Sequence, residues 1–453
     1  MTTKALIAAT PWSADKAKAG MVDFATAGRG TLGGRSVRVI AEQLLRGGPR
    51  RQAIRVEVDG PADFAAADVH LRTDGGSSVP VEGVDGPAGS LRLLVPAVDA
   101  PTTLRLAIPA LDADATIGLT VEPVREWTIH LVHHSHLDIG YTDPQGTVLA
   151  EHVAFLDSCL DLVRQTADRP DDAKFRWAVE SLWSFEQWVA ARSPERVAEF
   201  VEYVRAGQIE LTALPYNLHT DTCSTDELHE LLRLARTVRD TYGVEFTSAM
   251  QTDVPGTVAG LPDALAQIGV RYLSVAHNWA GRSVPHLNGG QHLPRLFRWR
   301  SPAGNSVLVW MTDSPHGLAY MEGSVLGFDT SYEEVDGMLP AYLTALATKP
   351  YPFPPGMFGW HGDAVHDREP YPWDVLHLRV QGMFGDNAPP RLIMADTVAR
   401  WNETWLYPRL RLSRNEDFFR DAEERLAGQI REFEGDWGDW WVEASGAVPA
   451  RSP

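Results

Sequence analysis

The distribution of apolar and polar positions changes at about residue 126, and from there segments of strand type and helix type alternate. An apolar run at 127–132 has the length and composition of a buried strand. Helix signals follow, because Ser193 stands before a first-turn proline and Ser224 with Glu227 has the spacing of a capping box. Repeated alternation predicts parallel strands joined by right-handed crossovers, so we expect an α/β barrel or barrel-like sheet over residues 126–430.

The two ends of the chain follow other patterns. Residues 1–125 contain short β-rich runs separated by Gly, Pro and Asp-Gly turns, which predicts a small antiparallel, β-sandwich-like domain. Its one candidate helix lies near 39–45. Residues 431–453 are rich in tryptophan and then polar, and we expect them to form a C-terminal tail. Inside the barrel region the alternation weakens at 315–370, where a long insertion loop is expected.

Composition excludes several classes of partner. Lys and Arg total 41 against 60 Asp and Glu, a net charge of −19, and no basic run is present, so no nucleic-acid partner is expected. No apolar run approaches the ~20 residues of a membrane span, and the N-terminus lacks the apolar core of a signal peptide. The two cysteines, Cys159 and Cys223, form no CxxC pair. We therefore predict a cytoplasmic location, with no membrane partner and with oligomerisation left open.

The best candidate for chemistry is the run HSHLDIGY, from His134 to Tyr141, at the end of the strand predicted at 127–132. In extended chain, residues two apart point to the same side, so the His136 imidazole and the Asp138 carboxylate leave the strand end together. Zinc takes such nitrogen and oxygen ligands. The pair predicts half of a zinc site.

Further polar residues follow other predicted strands, where functional groups collect in parallel α/β folds. They are Asp253, Asp386, Asn217, His219 and Asp221. Four of them also have a structural interpretation. Asp253 and Asp386 stand in good turn sequences, and His219 and Asp221 could cap the helix that begins after Ser224. If these positions converge on one face, several carboxylates lie beside the predicted metal pair.

The run that ends at Tyr141 resembles the zinc-binding signature of glycoside hydrolase family 38, the retaining α-mannosidases. The resemblance covers about 126–445 and implies that His136 and Asp138 bind one Zn²⁺. It implies that Asp253 is both the nucleophile and a zinc ligand. The segment Gly-Asp-Asn at 385–387 is similar to the family's acid/base segment, which makes Asp386 the general acid/base.

The resemblance also implies a (β/α)7-type barrel and an α-mannoside substrate. A retaining glycosidase needs two carboxyl groups about 5–5.5 Å apart across the sugar. Zinc is then expected to hold the 2- and 3-hydroxyls of mannose and to favour the distorted ring of the transition state. Tyr141, Asn217 and Asp221 are the expected substrate-binding residues. The 15 tryptophans fit a sugar pocket as well as a core.

Two departures from the family pattern affect these assignments. The family's fourth zinc ligand is a histidine well beyond the acid/base segment, and the chain is expected to end before it, without the C-terminal domains. His361 could substitute as a ligand, or it could be incidental in an exposed loop. The acid/base segment reads Asp-Asn, so if relatives carry the acid at the second position, Asn387 cannot supply it, and either Asp386 or a residue outside the segment must act.

Two other functions stay open. His134 and His136 form an HxH pair on a first barrel strand, as in metal-dependent amidohydrolases. That hypothesis requires both histidines as metal ligands and leaves Asp138 without a role. A third hypothesis is a non-catalytic remnant that binds zinc and sugar but has lost turnover.

Overall fold

A computed structural model describes residues 25–60, 64–277, 286–287, 291–292, 294–312, 322–348, 370–383, 385–437, 439 and 441–442. In the described residues up to 121, the regular structure is strands and one short 3-10 turn at Ala66–Asp68. The strands are β1 (Thr26–Leu32), β2 (Arg35–Arg46), β3 (Arg51–Val58), β4 (His70–Thr73), β5 (Ser78–Val79), β6 (Glu82–Val84), β7 (Ser90–Pro96), β8 (Thr102–Ala107) and β9 (Ile117–Val121).

These strands form two antiparallel sheets, in the orders β1-β2-β3-β7-β6 and β5-β4-β8-β9. One hydrophobic cluster draws on both sheets, with Val39 and Ile54 from the first and Leu104 and Leu119 from the second. The antiparallel pairing predicted for this part is therefore present, and the two sheets share a core.

The helix expected near 39–45 is wrong, because these residues belong to the central strand β2. All seven are buried, and β2 pairs with β1 on one side and with β3 on the other. A strand that is apolar on both faces has no alternation, so its pattern is not separable from that of a buried helix by periodicity alone.

After residue 126, strands and helices alternate along the described chain. The strands are β10 (Thr128–His133), β11 (Trp177–Val179), β12 (Ile209–Leu211), β13 (Ser248–Val254), β14 (Tyr272–His277), β15 (His286–Leu287), β16 (Gln291–His292), β17 (Leu296–Arg300), β18 (Ser306–Met311), β19 (Val375–Val380), β20 (Arg409–Ser413) and β21 (Glu432–Glu434). The helices are α1 (Gln145–Gln165), α2 (Leu182–Ala190), α3 (Pro194–Arg205), α4 (Thr225–Glu230), α5 (Arg233–Tyr242), α6 (Leu261–Ala266), α7 (Glu322–Val325), α8 (Tyr332–Thr348), α9 (Ile393–Thr404) and α10 (Asn415–Leu426).

The pairing among these strands is mostly parallel. Strand β10 lies between β19 and β20, β11 pairs with β12, and β13-β14-β18 follow in order. A parallel bridge from His134 to Ala178 connects β10 with β11, and the Ala213 N–H donates to the Ser248 carbonyl (3.0 Å) between the ends of β12 and β13. The carboxyl ends of β10, β11, β12, β13 and β19 therefore lie near one another, which is what positions the site. The chain is a mixed α/β protein with several sheets.

Two pairings among the described strands after residue 126 are antiparallel, β15 with β16 and β17 with β18. Strand β17 pairs antiparallel with β18 through the tight turn at 301–305, in which Gly304 has a φ of 91°. Strand β21 then pairs parallel with β17. The Trp437 side chain beyond it is buried against Trp299, with ring centroids 4.2 Å apart. The segment that begins at 431 thus packs on strand β17, and the predicted domain boundaries stay predictions.

The region of weak pattern at 315–370 contains the long helix α8, and residues 349–369, where the insertion loop is expected, lie outside the described residues. Helix α8 packs on the N-terminal sheet, where the Thr344 hydroxyl donates to the Ala41 carbonyl (2.9 Å). Beside it, the buried Arg92 binds Glu42 (2.6 Å) and Asp336 (2.7 Å), one carboxylate from each part of the chain.

The predicted helix starts are confirmed where a capping residue defines them. The Ser193 side chain accepts from the N–H of the third helical residue, and Ser224 with Glu227 forms the predicted capping box. Gly243 ends α5 in the left-handed conformation. Among the described helices, none has the length and apolar character needed to cross a membrane.

Candidate functional site

The site begins where the backbone leaves strand β10. His136 is buried, and its Nδ1 lies 2.9 Å from Glu180 Oε1. Its other ring nitrogen, Nε2, lies 3.6 Å from Asp138 Oδ1 and 3.8 Å from Asp253 Oδ2. The main-chain N–H of His136 donates to the side chain of Gln381, just past β19 (2.7 Å). The Glu180 carboxylate thus holds the imidazole at Nδ1, and Nε2 faces the carboxylates of Asp138 and Asp253.

Among the described residues, one group of His, Cys, Asp or Glu side chains could hold a metal ion: His136, Asp138 and Asp386, whose ligand atoms lie within 4.8 Å of one another. The predicted pair is therefore together, and Asp386 arrives from the turn after β19. Asp253 borders the group through its contact with His136. One imidazole nitrogen and two or three carboxylate oxygens are a donor set that fits Zn²⁺.

Asp253 lies in a distorted segment at the end of β13. Its φ is 59°, a left-handed conformation that is rare for a residue other than glycine, and the register with β14 shifts between Thr252 and Val254. Two contacts fix the preceding residue: the Thr252 N–H donates to Asn217 (2.8 Å), and the Arg379 guanidinium donates to the Thr252 hydroxyl (2.6 Å). Such strain persists only where surrounding contacts over-determine the backbone, as they do at many functional sites.

Asn387 connects the acid segment to the metal pair. Its Oδ1 accepts from His152 (2.8 Å) and from the Asp138 N–H (3.2 Å), and its Nδ2 donates to the Asp138 carbonyl (3.1 Å) and to Thr142 (2.7 Å). Its own N–H donates to the His136 carbonyl (3.1 Å). The position therefore uses an amide as donor and acceptor at once, a role that a carboxylate cannot fill.

Glu180 is the residue that sequence reasoning missed. It follows β11, is 3% exposed, and contacts both histidines of the HxH pair and Asn217. Its position just past a strand is the same signal that selected Asp253, but the apolar residues of β11 before it gave no indication of a functional site.

Opposite charges govern the ionisation of this cluster. Burial alone would lower the pKa of His136, but the carboxylates of Glu180, Asp138 and Asp386 outweigh it and hold that pKa well above its usual value. Burial opposes ionisation of Glu180 too, yet the two histidines beside it hold its pKa well below the usual range. Burial lowers the pKa of His134, against the pull of Glu180. Carboxylates therefore surround one imidazole, and their negative charge attracts a cation.

The remaining predicted residues lie in different surroundings. His134 contacts Glu180 through Nδ1 (2.9 Å) and is not in the described metal group, which does not favour two histidine ligands. Tyr141 is 75% exposed. Asn217 contacts protein groups through both ends of its amide. Asp221 accepts from the N–H of Asp439 (2.8 Å). His361 lies outside the described residues.

Comparison with known proteins supplies the family. The family model described as "Glycosyl hydrolases family 38 N-terminal domain" matches residues 126–440, more than half of the chain. The chain belongs to glycoside hydrolase family 38. All of the site residues described above lie within the matched family 38 region.

Individual relatives are more distant. Alpha-mannosidase F of Dictyostelium discoideum is 24% identical over 150 residues, which is 33% of this chain and 15% of that protein. An alpha-mannosidase from Enterococcus faecalis V583 superposes with a TM-score of 0.51 at 14% identity, over 69% of this chain and 31% of that one. At this identity the structural likeness shows the family 38 fold, and the chain spans less than a third of either relative.

Proposed function

We propose that this family 38 chain is a zinc-dependent retaining glycoside hydrolase that cleaves α-mannosides. The observation that carries the proposal is the convergence of His136, Asp138, Asp253 and Asp386 from the ends of three different strands. The relatives named as alpha-mannosidases support the choice of sugar.

The proposed metal is one Zn²⁺, held by His136 through Nε2 and by Asp138, with Asp253 as the third ligand. Bound zinc would act as a Lewis acid and template for two neighbouring sugar hydroxyls. The donor chemistry supports this, since Nδ1 of the histidine is already directed at Glu180 and Nε2 faces the carboxylates. Asp386 is the competing third ligand, because its oxygen belongs to the described metal group.

The two carboxyl groups would divide the reaction between them. The Asp253 carboxylate attacks the anomeric carbon, and the bond from that carbon to the leaving oxygen breaks as Asp386 gives that oxygen a proton. A glycosyl ester on Asp253 results. Asp386, now a carboxylate, removes a proton from water, and the water oxygen displaces Asp253 to release the sugar with its original anomeric configuration.

The finer architecture is part of the same proposal. We infer that β10, β11, β12, β13, β14, β18 and β19 are the strands of a (β/α)7-type barrel and that the two antiparallel sheets before residue 125 pack as a sandwich. The parallel pairings, the bridge from His134 to Ala178 and the hydrophobic cluster shared by the two sheets support this arrangement.

The first test measures hydrolysis of an aryl α-mannoside and zinc content together. Wild type is expected to contain about one zinc per chain and to release the aryl group, and a 5-fluoro-mannosyl fluoride should label Asp253. D386N should retain zinc but lose turnover with poor leaving groups more than with good ones. Label on another residue would remove the nucleophile assignment, and binding of mannosides without any hydrolysis would favour the non-catalytic hypothesis.

Zinc content of single variants then separates the possible ligand sets. Loss of zinc in H136A and D253N with retention in D386N supports the proposed set. Loss in D386N with retention in D253N assigns the third ligand to Asp386. Equal loss in H134A and H136A would support the amidohydrolase hypothesis instead.

A further inference from the structure

We propose that Glu180 is a positioning residue that fixes the ligand His136 and, through Asn217, the strand end that carries Asp253. The inference rests on the proposed function and deepens it, because it names the group that sets the relative position of the metal ligand and the nucleophile. Glu180 and Asn217 act through other residues, since both ends of the Asn217 amide, expected from the sequence to bind substrate, bind protein groups.

The first half of the argument is the surroundings of the Glu180 carboxylate. One oxygen, Oε1, accepts from His136 Nδ1 (2.9 Å), from Asn217 Nδ2 (2.8 Å) and from the Leu137 N–H (3.3 Å). The other, Oε2, lies 2.9 Å from His134 Nδ1. Every one of these atoms belongs to a strand end other than that of Glu180. Burial of a carboxylate carries a large desolvation cost. These contacts offset that cost only while the carboxylate stays in one position.

The second half concerns the orientation of the imidazole. With Nδ1 donating to Glu180, the lone pair available for a metal is on Nε2, and the ring plane is fixed by the line from Nδ1 to the carboxylate. Nε2 is the atom that faces Asp138 and Asp253, at 3.6 and 3.8 Å. Carboxylates that orient histidine ligands in this way typically change metal affinity by 10–100-fold when they are removed.

Asn217 carries the connection onward. Its Nδ2 donates to Glu180 while its Oδ1 accepts from the N–H of Thr252 at 2.8 Å, one residue before Asp253. The two ends of one amide therefore connect the histidine's partner to the backbone whose next residue has a φ of 59°. A shift of Glu180 would displace both His136 and Asp253, whereas loss of Asn217 would displace mainly Asp253.

The test compares Glu180→Leu, Glu180→Gln and Asn217→Ala. E180L keeps the volume but removes the acceptor, so zinc affinity, measured by competition with a chelating dye, should fall 10–100-fold. E180Q keeps an acceptor oxygen and should restore zinc affinity to within tenfold of wild type. N217A should lower kcat more than tenfold with KM within threefold of wild type, and its zinc affinity should fall less than that of E180L, because His136 keeps its carboxylate partner.

Glu210 provides the matched control. It is a buried glutamate on β12 that binds Ser248 (2.8 Å) and Asn415 (2.8 Å) and has no contact with the site residues in the described structure. E210L should lose thermal stability as E180L does, and yet bind zinc with wild-type affinity. A merely structural role for Glu180 would make E180L and E210L indistinguishable in zinc affinity, and that result overturns the proposal. If E180L does not fold, E180Q and N217A decide by the same measurements.

Failure of the proposed function has a different signature. Wild type would then neither bind zinc nor hydrolyse the mannoside. Crystal structures of zinc-free wild type and N217A would still test the positioning role. The proposal expects an unchanged His136 ring and a displaced Asp253 main chain in N217A, and an undisturbed Asp253 would overturn it.

Discussion

Replacement of Asn387 by Asp is the sharpest test of how the acid segment works. The change retains the size of the side chain and converts only Nδ2 from a donor into a carboxylate oxygen. Two contacts of Nδ2 are affected, to the Asp138 carbonyl (3.1 Å) and to the Thr142 hydroxyl (2.7 Å). The hydroxyl can rotate and donate to the new oxygen, but the carbonyl cannot, so one hydrogen bond becomes a contact between two acceptors.

The expected cost follows from that lost bond and from the negative charge that the new carboxylate adds beside Asp138 and Asp386. A donor replaced by an acceptor beside a buried or half-buried carbonyl costs about 1–3 kcal/mol, and His152 and the Asp138 N–H, which still donate, offset part of it. We expect N387D to lose about 2 kcal/mol of stability. For a unit of about 300 residues this lowers Tm by about 3 °C. N387A should lose about 4 kcal/mol, since it removes all four side-chain contacts and places alanine at a φ of 49°.

The assay is calorimetry in zinc-free buffer together with kcat on an aryl α-mannoside, and N402D is the control. Asn402 also uses both ends of its amide, on the N–H (3.1 Å) and the carbonyl (2.8 Å) of Leu410. N402D should lose similar stability with kcat unchanged, whereas N387D should also lower kcat because it disturbs Asp138 and Asp386. A variant N387D as stable as wild type and with a higher kcat would refute the reasoning, because position 387 would then be able to supply the acid.

Three further predictions concern the rest of the molecule. R92M should lose about 3–5 kcal/mol in urea unfolding, because it removes the guanidinium that binds the buried carboxylate of Asp336 and leaves Glu42 with Arg55 alone; a loss below about 1 kcal/mol would contradict this. Burial lowers the pKa of His152 to about 4, so as the pH falls the unfolded state takes up this proton before the folded state does. The free energy of unfolding should therefore fall by up to about 3 kcal/mol between about pH 6.5 and pH 4. H152Q should flatten that slope in calorimetry, and an equal slope would exclude His152 as the cause. Removal of metal with a chelator should lower Tm and turnover together, and added Zn²⁺ rather than Mg²⁺ should restore both.

Much of the fold could be predicted from local signals. The strand predicted at 127–132 is β10, Thr128–His133, within one residue at each end, because an apolar run of this length is typical of a buried strand. The capping residues Ser193 and Ser224 start helices where their chemistry predicts, since each satisfies a main-chain N–H at once. Predictions failed where the partner of a segment is distant in sequence. Strand β2 is buried on both faces, because the second antiparallel sheet packs against Val39 and helix α8 packs against Ile40. Helix α8 is itself buried along most of its length, so neither element has the periodicity of a half-exposed one.

The same division applies to the site. The convergence of His136, Asp138, Asp253 and Asp386 could be predicted because each is an imidazole or a carboxylate at the end of a strand. Glu180 could not, since a glutamate after a three-residue strand is usually a surface residue, and only the fold brings two histidines and an asparagine around it.

The strained residues explain why these supporting contacts are needed. Asp253 and Asn387 are the described residues other than glycine with positive φ, and both belong to the site. Each left-handed residue costs roughly 1 kcal/mol, and such a conformation relaxes unless other groups hold it. Asn217 and Arg379 hold the segment before Asp253, and the Asn387 amide binds the His136–Thr142 segment directly. The geometry at the carboxylates is therefore imposed by the scaffold before any ligand arrives, which is the arrangement that electrostatic stabilisation of a transition state requires.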